Sequence, residues 1–255
     1  MSVELHHRLD GPADAPAVML SNSLGTALEM WDGQLAALAQ HLRVLRYDQR
    51  GHGRSPAPPG PYSMTDLAGD ALALLDRLGL ERISFCGVSI GGMTGQWLAV
   101  NAPERIDRLA LCSTSAYMPP ASNWTERAAT VRAQGMEAVA DAQLERWFTP
   151  GIAPELAQRT RHVLLATPPE GYAGCCEAIT EHDLRAELGS IRAPTLVISA
   201  EDDPATPPQH GLAIAEAIEG ARFVLIEGGR HLVNVERPEA VTRELLEHLL
   251  AEAQA

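Results

Sequence analysis

The sequence predicts an α/β protein: a mostly parallel central sheet flanked by helices. Three observations predict it. Short apolar, β-prone runs alternate with helix-prone segments through the first half of the chain, the pattern of strands joined by crossover helices. At the centre of that series a strand-like run, Ile83 to Cys86, passes abruptly into a helix-like run, Met93 to Val100, through Gly87-Val88-Ser89-Ile90-Gly91. Beyond Tyr117 a long helix-prone stretch interrupts the alternation before strands resume at Thr195. The expected division is a core of residues 1–116 and 190–255, with a helical cap of residues 117–189 inserted late in the sheet, the whole forming one structural unit.

The elements follow in order. Val3 to Leu9 alternates weakly and ends at Asp10-Gly11, so it reads as the edge strand of a hairpin. Ala17 to Ser21 is an apolar strand, followed by the polar turn Asn22-Ser23-Leu24-Gly25-Thr26. Leu42 to Tyr47 is a third strand and runs into a charged, Gly-rich loop, Asp48 to Ser55. Ser63 starts a helix, with Asp66 three residues on as an approximate capping box. Leu67, Ala71, Leu74, Leu75 and Leu78 form its apolar stripe, and Gly79 closes it. Leu109 to Ser113 is the strand after the central turn. From Asn123 to about Asp183 no strand is predicted. Breaks are expected at Pro150-Gly151, Pro168-Pro169 and Gly171. Thr195 to Ser199 and Phe223 to Ile226 complete the sheet, and Pro238 opens a terminal helix reaching to about Ala253.

Composition narrows the partners. The 255 residues suffice for one large domain, and 45% hydrophobic with 21% charged residues is ordinary for a globular protein. The formal net charge of −13 argues against nucleic acid and anionic membranes, and it obliges any anionic substrate to find a local cation. Cys86 and Cys112 lie in apolar runs and are expected as buried thiols. Cys175 and Cys176 are adjacent, where a mutual disulfide would be strained. The start Met1-Ser2-Val3-Glu4-Leu5-His6-His7 has neither a cationic region nor an apolar run, so no signal peptide is expected. No stretch is long enough to span a bilayer, and the expected location is the cytoplasm. Neither a metal-ligand cluster nor a dinucleotide fingerprint is present, so no cofactor is expected.

The chemistry centres on Ser89. A strand that turns sharply into a helix needs glycines where backbone atoms approach closely, and it leaves the apex residue strained and exposed. At a helix N-terminus, free N–H groups favour negative charge, which suits a serine carrying a tetrahedral oxyanion. Serine needs a base, and the base needs an acid. Two later loops supply them, each following a strand: Glu201-Asp202-Asp203-Pro204-Ala205-Thr206-Pro207-Pro208, and Glu227-Gly228-Gly229-Arg230-His231. The chain order is nucleophile Ser89, acid Asp203, base His231. Glu201 and Asp202 are rival acids on the same loop. Asp203 is preferred because it opens the Asp-x-x-Thr-Pro turn ahead of Pro208. An oxyanion hole would take one N–H from Ile90 and one from Leu24. His52, after its own strand, is read as a brace for its loop.

These motifs together resemble the α/β-hydrolase superfamily. More narrowly, Ser21 to Thr26, Tyr47 to Gly53, Gly91 to Trp97, Trp147-Phe148-Thr149 and Gly171 to Cys176 resemble the 3-oxoadipate enol-lactonases over nearly the whole chain, although Ser23 stands where many relatives carry glycine. The resemblance implies hydrolysis of an anionic five-membered lactone through a Ser89 acyl-enzyme, in the breakdown of catechol and protocatechuate. The substrate carboxylate then calls for a cation in the cap. Arg127, Arg132, Arg146 and Arg161 lie there, with Arg127 and Arg132 nearest Trp124. Trp124 and Trp147 are the expected walls. The same serine, acid and histidine would also serve a general carboxylesterase or lactonase, a C–C bond hydrolase, a cofactor-free haloperoxidase, or a ligand-binding receptor of the same fold. Enzymes that use aspartate as nucleophile are disfavoured by Ser89.

Overall fold

Strands buried on both faces are mostly apolar, and the central strands here are, with only small hydroxyl side chains (Ser84, Thr195 and Ser199) among them. In a computed structural model describing residues 2–251, β4 (Ile83–Val88) and β6 (Thr195–Ala200) are buried along their whole length. With β1 (His7–Asp10), β2 (Ala17–Ser21), β3 (Arg43–Tyr47), β5 (Ile106–Cys112) and β7 (Arg222–Ile226) they form a seven-stranded sheet. Its order is β1-β3-β2-β4-β5-β6-β7, and every pair is parallel except β1 with β3. The first strand is therefore an edge strand, but not of a hairpin. Its partner is β3, through pairs such as Leu9 with Leu45, because β2 is already flanked by β3 and β4.

Side chains alternate across the sheet and divide the core in two. Val18, Leu20, Cys86, Val88, Leu196 and Ile198 face one side. There they meet α1 (Asp32–Leu38) and α10 (Pro238–Leu249) through Leu38, Val241 and Leu245. Met19, Phe85, Leu109 and Val197 face the other side, toward α2 (Met64–Arg77), α3 (Ile90–Asn101) and α8 (Pro208–Ala217). The sequence gives no signal for α1. Helix α2 begins where its caps predict: Ser63 and Asp66 form a complete capping box, and Gly79 follows the last turn at φ 65°. Helix α10 ends at Leu249, short of the expected Ala253, which itself lies outside the described residues. All four cysteines are buried free thiols. Among the described residues no helix is long and apolar enough to cross a membrane.

Between β5 and β6 the chain forms α4 (Ala121–Gln134), α5 (Glu137–Trp147), α6 (Pro154–Ala166) and α7 (Pro169–Thr180). The base of this insertion is closed by a bridge between Tyr117 and Asp183 and by the Leu184 amide on the Ala116 carbonyl at 3.0 Å. Gly171, expected to break a helix, lies inside α7. It serves a close approach instead. A Cβ there would fall 2.2 Å from the Gly51 carbonyl oxygen, so α7 rests directly on the backbone of the loop after β3. That loop is itself braced. Arg50 grips the buried Asp70 carboxylate with two hydrogen bonds of 2.6 and 2.8 Å. Asp48 accepts from the Leu28 and Arg54 amides.

A methyl group at the contact between the two glycines has no space to enter. Gly171→Ala is expected to lower stability by about 1–3 kcal/mol, the usual cost of overpacking, and equilibrium denaturation checks it.

Candidate active site

The C-terminal ends of parallel strands converge on one edge of the sheet, where crevices form. The loops after β2, β4, β6 and β7 meet there. Ser89 stands at the turn from β4 into α3 with φ 58° and ψ −119°, one of two non-glycine residues at positive φ among those described. Such a conformation costs of order 1–3 kcal/mol and persists only if its surroundings impose it. The Ser89 amide donates to the Cys112 carbonyl at 3.0 Å, and the Thr114 hydroxyl donates to the Ser89 carbonyl at 2.7 Å, so the end of β5 holds both flanking peptides. Gly87 and Gly91 make the turn possible. A Cβ on Gly87 would lie 2.3 Å from the Gly91 backbone, and one on Gly91 would lie 2.5 Å from the Ser21 carbonyl oxygen.

On the loop after β6, Asp203 is buried while Glu201 and Asp202 are exposed. One Asp203 oxygen accepts from the Ala205 and Thr206 amides at 2.8 and 3.0 Å. The other accepts from the Thr206 hydroxyl at 2.7 Å and lies 2.9 Å from His231 Nδ1. Burial opposes ionisation of Asp203, yet the His231 ring beside it and the Thr206 donors outweigh burial and hold its carboxyl below the ordinary range. A carboxylate only accepts, so Nδ1 carries the proton and Nε2 is left as an acceptor. Of the three candidate acids, it is Asp203 that touches His231.

The turn after β2 leaves one amide over. The Ser23 N–H points to Met30 Sδ at 3.3 Å, the Gly25 N–H to His52 Nε2 at 2.9 Å, and the Thr26 N–H to the Ser23 carbonyl at 3.2 Å. The Thr26 hydroxyl also donates to that carbonyl, at 2.7 Å. Pinning the Ser23 carbonyl turns the opposite end of its peptide, the Leu24 N–H, the other way. Among the described residues neither Leu24 N–H nor Ile90 N–H, at the first position of α3, has a hydrogen-bond partner. Thr26 thus holds the Ser23 carbonyl through both its amide and its hydroxyl. His52 braces this turn from the loop after β3. Because its Nε2 accepts, its proton is on Nδ1, toward the Arg50 carbonyl at 3.2 Å. Burial holds its pKa down to about 4, so the ring stays neutral.

A cavity of about 220 Å³ opens over Ser89, Leu24 and His231, below the usual range for drug-sized ligands and suited to one small metabolite. The cap supplies its far wall. Trp124 and Trp147 line it, as do Arg127, Arg146 and Gln143; the last was not foreseen from the sequence. Among the described residues no aspartate or glutamate lines it. Arg127 lies over the Trp124 ring, 4.6 Å from its centroid, and Arg146 donates to Gln143 Oε1 at 3.0 Å. Burial, and then the Arg127 charge, pull the Arg146 pKa below its ordinary value, as expected of two cations facing one space. Among the described residues neither arginine has a carboxylate partner within 4.0 Å. Arg132 does not reach the cavity. It is clamped outside by Glu170, at 2.8 Å, and by Glu177, fastening α4 to α7. Arg161 is turned toward Asp141 at 3.5 Å. Sequence proximity to Trp124 pointed to Arg132, but eight residues along a helix carry a side chain more than two turns away.

A strained serine at a strand–helix turn, a histidine held by an aspartate, and a parallel sheet with a helical insertion define an α/β-hydrolase. The chain belongs to the family described as having the alpha/beta hydrolase fold, whose model matches residues 16–162 and 157–238, and it is a hydrolase. Within that family it is similar to 3-oxoadipate enol-lactonase 2 of Acinetobacter baylyi, at 43% identity over 93% of this chain and 90% of the relative. It is also 37% identical to 3-oxoadipate enol-lactonase 1 of the same organism, over 91% and 88% of the two chains. The solved enol-lactonase of Burkholderia xenovorans superimposes with a TM-score of 0.95 at 47% identity, covering 97% of this chain and 96% of that one.

His52, His182 and His248 are each held from the ordinary 6.5 down to about 4, first of all by burial. The unfolded chain takes up these protons near pH 6.5, whereas the folded chain resists until about pH 4. Stability is therefore intact above pH 6.5 and falls as the pH drops through that window. Denaturation midpoints measured from pH 8 to pH 4 are expected to show this decline, and a shallower slope for His52→Gln.

Proposed function

We propose that this chain hydrolyses 3-oxoadipate enol-lactone to 3-oxoadipate, in the breakdown of aromatic compounds. The observation that carries the reading is the content of one cavity: Ser89 and His231 on its floor, Arg127 and Arg146 on its wall, and no acidic side chain. In a chain of net charge −13, two arginines on this wall without a carboxylate partner among the described residues favour a small anionic ligand. The similarity to enol-lactonases supports the same substrate.

In this reading His231 Nε2 takes the Ser89 proton as the serine oxygen attacks the ring carbonyl. Asp203 stabilises the imidazolium that forms. The Leu24 and Ile90 amides receive the oxyanion. Collapse breaks the ring C–O bond and leaves an acyl-enzyme with an enol, which takes up the proton and tautomerises to the ketone. Water, deprotonated by His231, then attacks the ester. The bond to Ser89 breaks, the serine regains its proton, and 3-oxoadipate departs. Arg127 and Arg146 hold the carboxymethyl arm throughout, between the Trp124 and Trp147 rings.

Steady-state hydrolysis of the enol-lactone, compared with p-nitrophenyl acetate, tests the assignment. A kcat/KM near or above ~10⁵ M⁻¹s⁻¹ for the lactone, well above the ester, is expected of a committed enzyme. Similar slow rates on both would return the protein to general esterases. Ser89→Ala is expected to abolish turnover of both substrates with the fold intact by circular dichroism.

Arg127→Ala and Arg146→Ala are each expected to raise KM for the lactone about 10- to 100-fold, the worth of a hydrogen bond to a charged group. The ester should change little. Equal effects on both substrates would remove the arginines from substrate binding.

A further inference from the structure

Glu236, the last residue of α9 (Val233–Glu236), is a buried carboxylate without a cationic partner among the described residues. Burying such a charge is costly, and an apolar side chain would fill the same space at lower cost. What the carboxylate does instead is join two segments. Its Oε1 accepts from the Thr149 amide at 2.9 Å and from the Thr149 hydroxyl. Its Oε2 accepts from the Arg230 amide at 2.8 Å. Thr149 lies three residues beyond Arg146, on the cap, and Arg230 immediately precedes His231.

Two backbone hydrogen bonds run between the same segments. The His231 amide donates to the Arg146 carbonyl at 3.4 Å, and the Leu232 amide donates to the Trp147 carbonyl at 3.2 Å. The Arg230 guanidinium adds bonds to the Glu145 and Phe148 carbonyls. Residues 146–149 and 230–232 thus form a short ladder that Glu236 closes. The cap does not simply cover the histidine; one strap of it is laced to the histidine loop.

We propose that Glu236 is a positioning residue whose carboxylate makes the cap strap and the His231 loop one body, fixing the distance from the arm-binding Arg146 to the base. This rests on the arginine reading given above. His231 also has contacts to Asp203 and Thr206 that do not involve the strap. What is lost when the strap is released is the registration of an anchored substrate against the base, and misplacement by about 1 Å can cost about 100-fold in rate.

The test is a double-mutant cycle: kcat and KM for the enol-lactone and for p-nitrophenyl acetate, in the unmodified chain, Glu236→Ala, Arg146→Ala and the double variant. Glu236→Ala is expected to lower kcat/KM for the lactone about 10- to 100-fold, with the ester affected several-fold less. Once Arg146→Ala has removed the anchor, the lactone loss from Glu236→Ala should shrink to that of the ester. Multiplicative effects on the lactone, or equal losses on both substrates, would overturn the proposal. If Arg146→Ala by itself leaves the lactone KM unchanged, the arginine reading falls, and the coupling with it. Should Glu236→Ala fail to fold, Glu236→Gln and Thr149→Val each weaken the clamp while keeping the shape, and either is expected to show the same non-additivity.

Discussion

The tight turn between β4 and α3 is the constraint on which the site depends. Ser89 can hold φ 58° only because Gly87 and Gly91 let backbones meet at distances that no Cβ would allow, and because the end of β5 ties down both neighbouring peptides. That turn places the serine at the start of a helix, with the Ile90 N–H unspent. Every other component arrives from a neighbouring strand end: Leu24 after β2, Asp203 after β6, His231 after β7. A parallel sheet delivers these loops to one edge by its topology alone.

Preorganisation at this edge is achieved by using up the competing hydrogen bonds. In the turn after β2, Met30, His52 and Ser23 take three amides and leave Leu24 free. At Asp203, four donors fill both carboxylate oxygens and keep the group ionised although it is buried. His52 belongs to the same scheme: a neutral, buried ring is what allows its Nε2 to accept from Gly25. The Leu24 amide is thereby held in place without a partner of its own.

The cap adds what the core lacks. Among the described residues the core offers the cavity no lysine or arginine, whereas α4 and α5 bring two arginines, stacked on or braced by neutral partners and without carboxylate partners. Arg132 shows the contrast. Its two glutamates satisfy it, and it serves to fasten helix to helix. An arginine becomes available for a ligand when its surroundings withhold a counter-ion. The 146–149 strap, which carries Arg146 of this wall, is laced by hydrogen bonds to the 230–232 loop.

Alternation of apolar runs, the Gly-x-Ser-x-Gly turn, the capping box at Ser63 and the order of Ser89, Asp203 and His231 were all legible in the sequence, because each is a local rule: strand period, cap chemistry, or a turn that admits only glycine. The narrow resemblance to enol-lactonases was legible too, because its motifs run through core and cap alike. Helix α1, the pairing of β1 with β3, the place of Gly171 inside α7, and the choice of Arg146 over Arg132 were not. Each depends on which surfaces meet after folding. Gly171 reads as a helix break until the backbone of Gly51 lies against it, and an arginine reads as solvated until its partners, or their absence, are known. Glu236 carries no sequence signal at all, since its three donors come from segments some eighty residues apart and become neighbours only when the cap closes on the sheet.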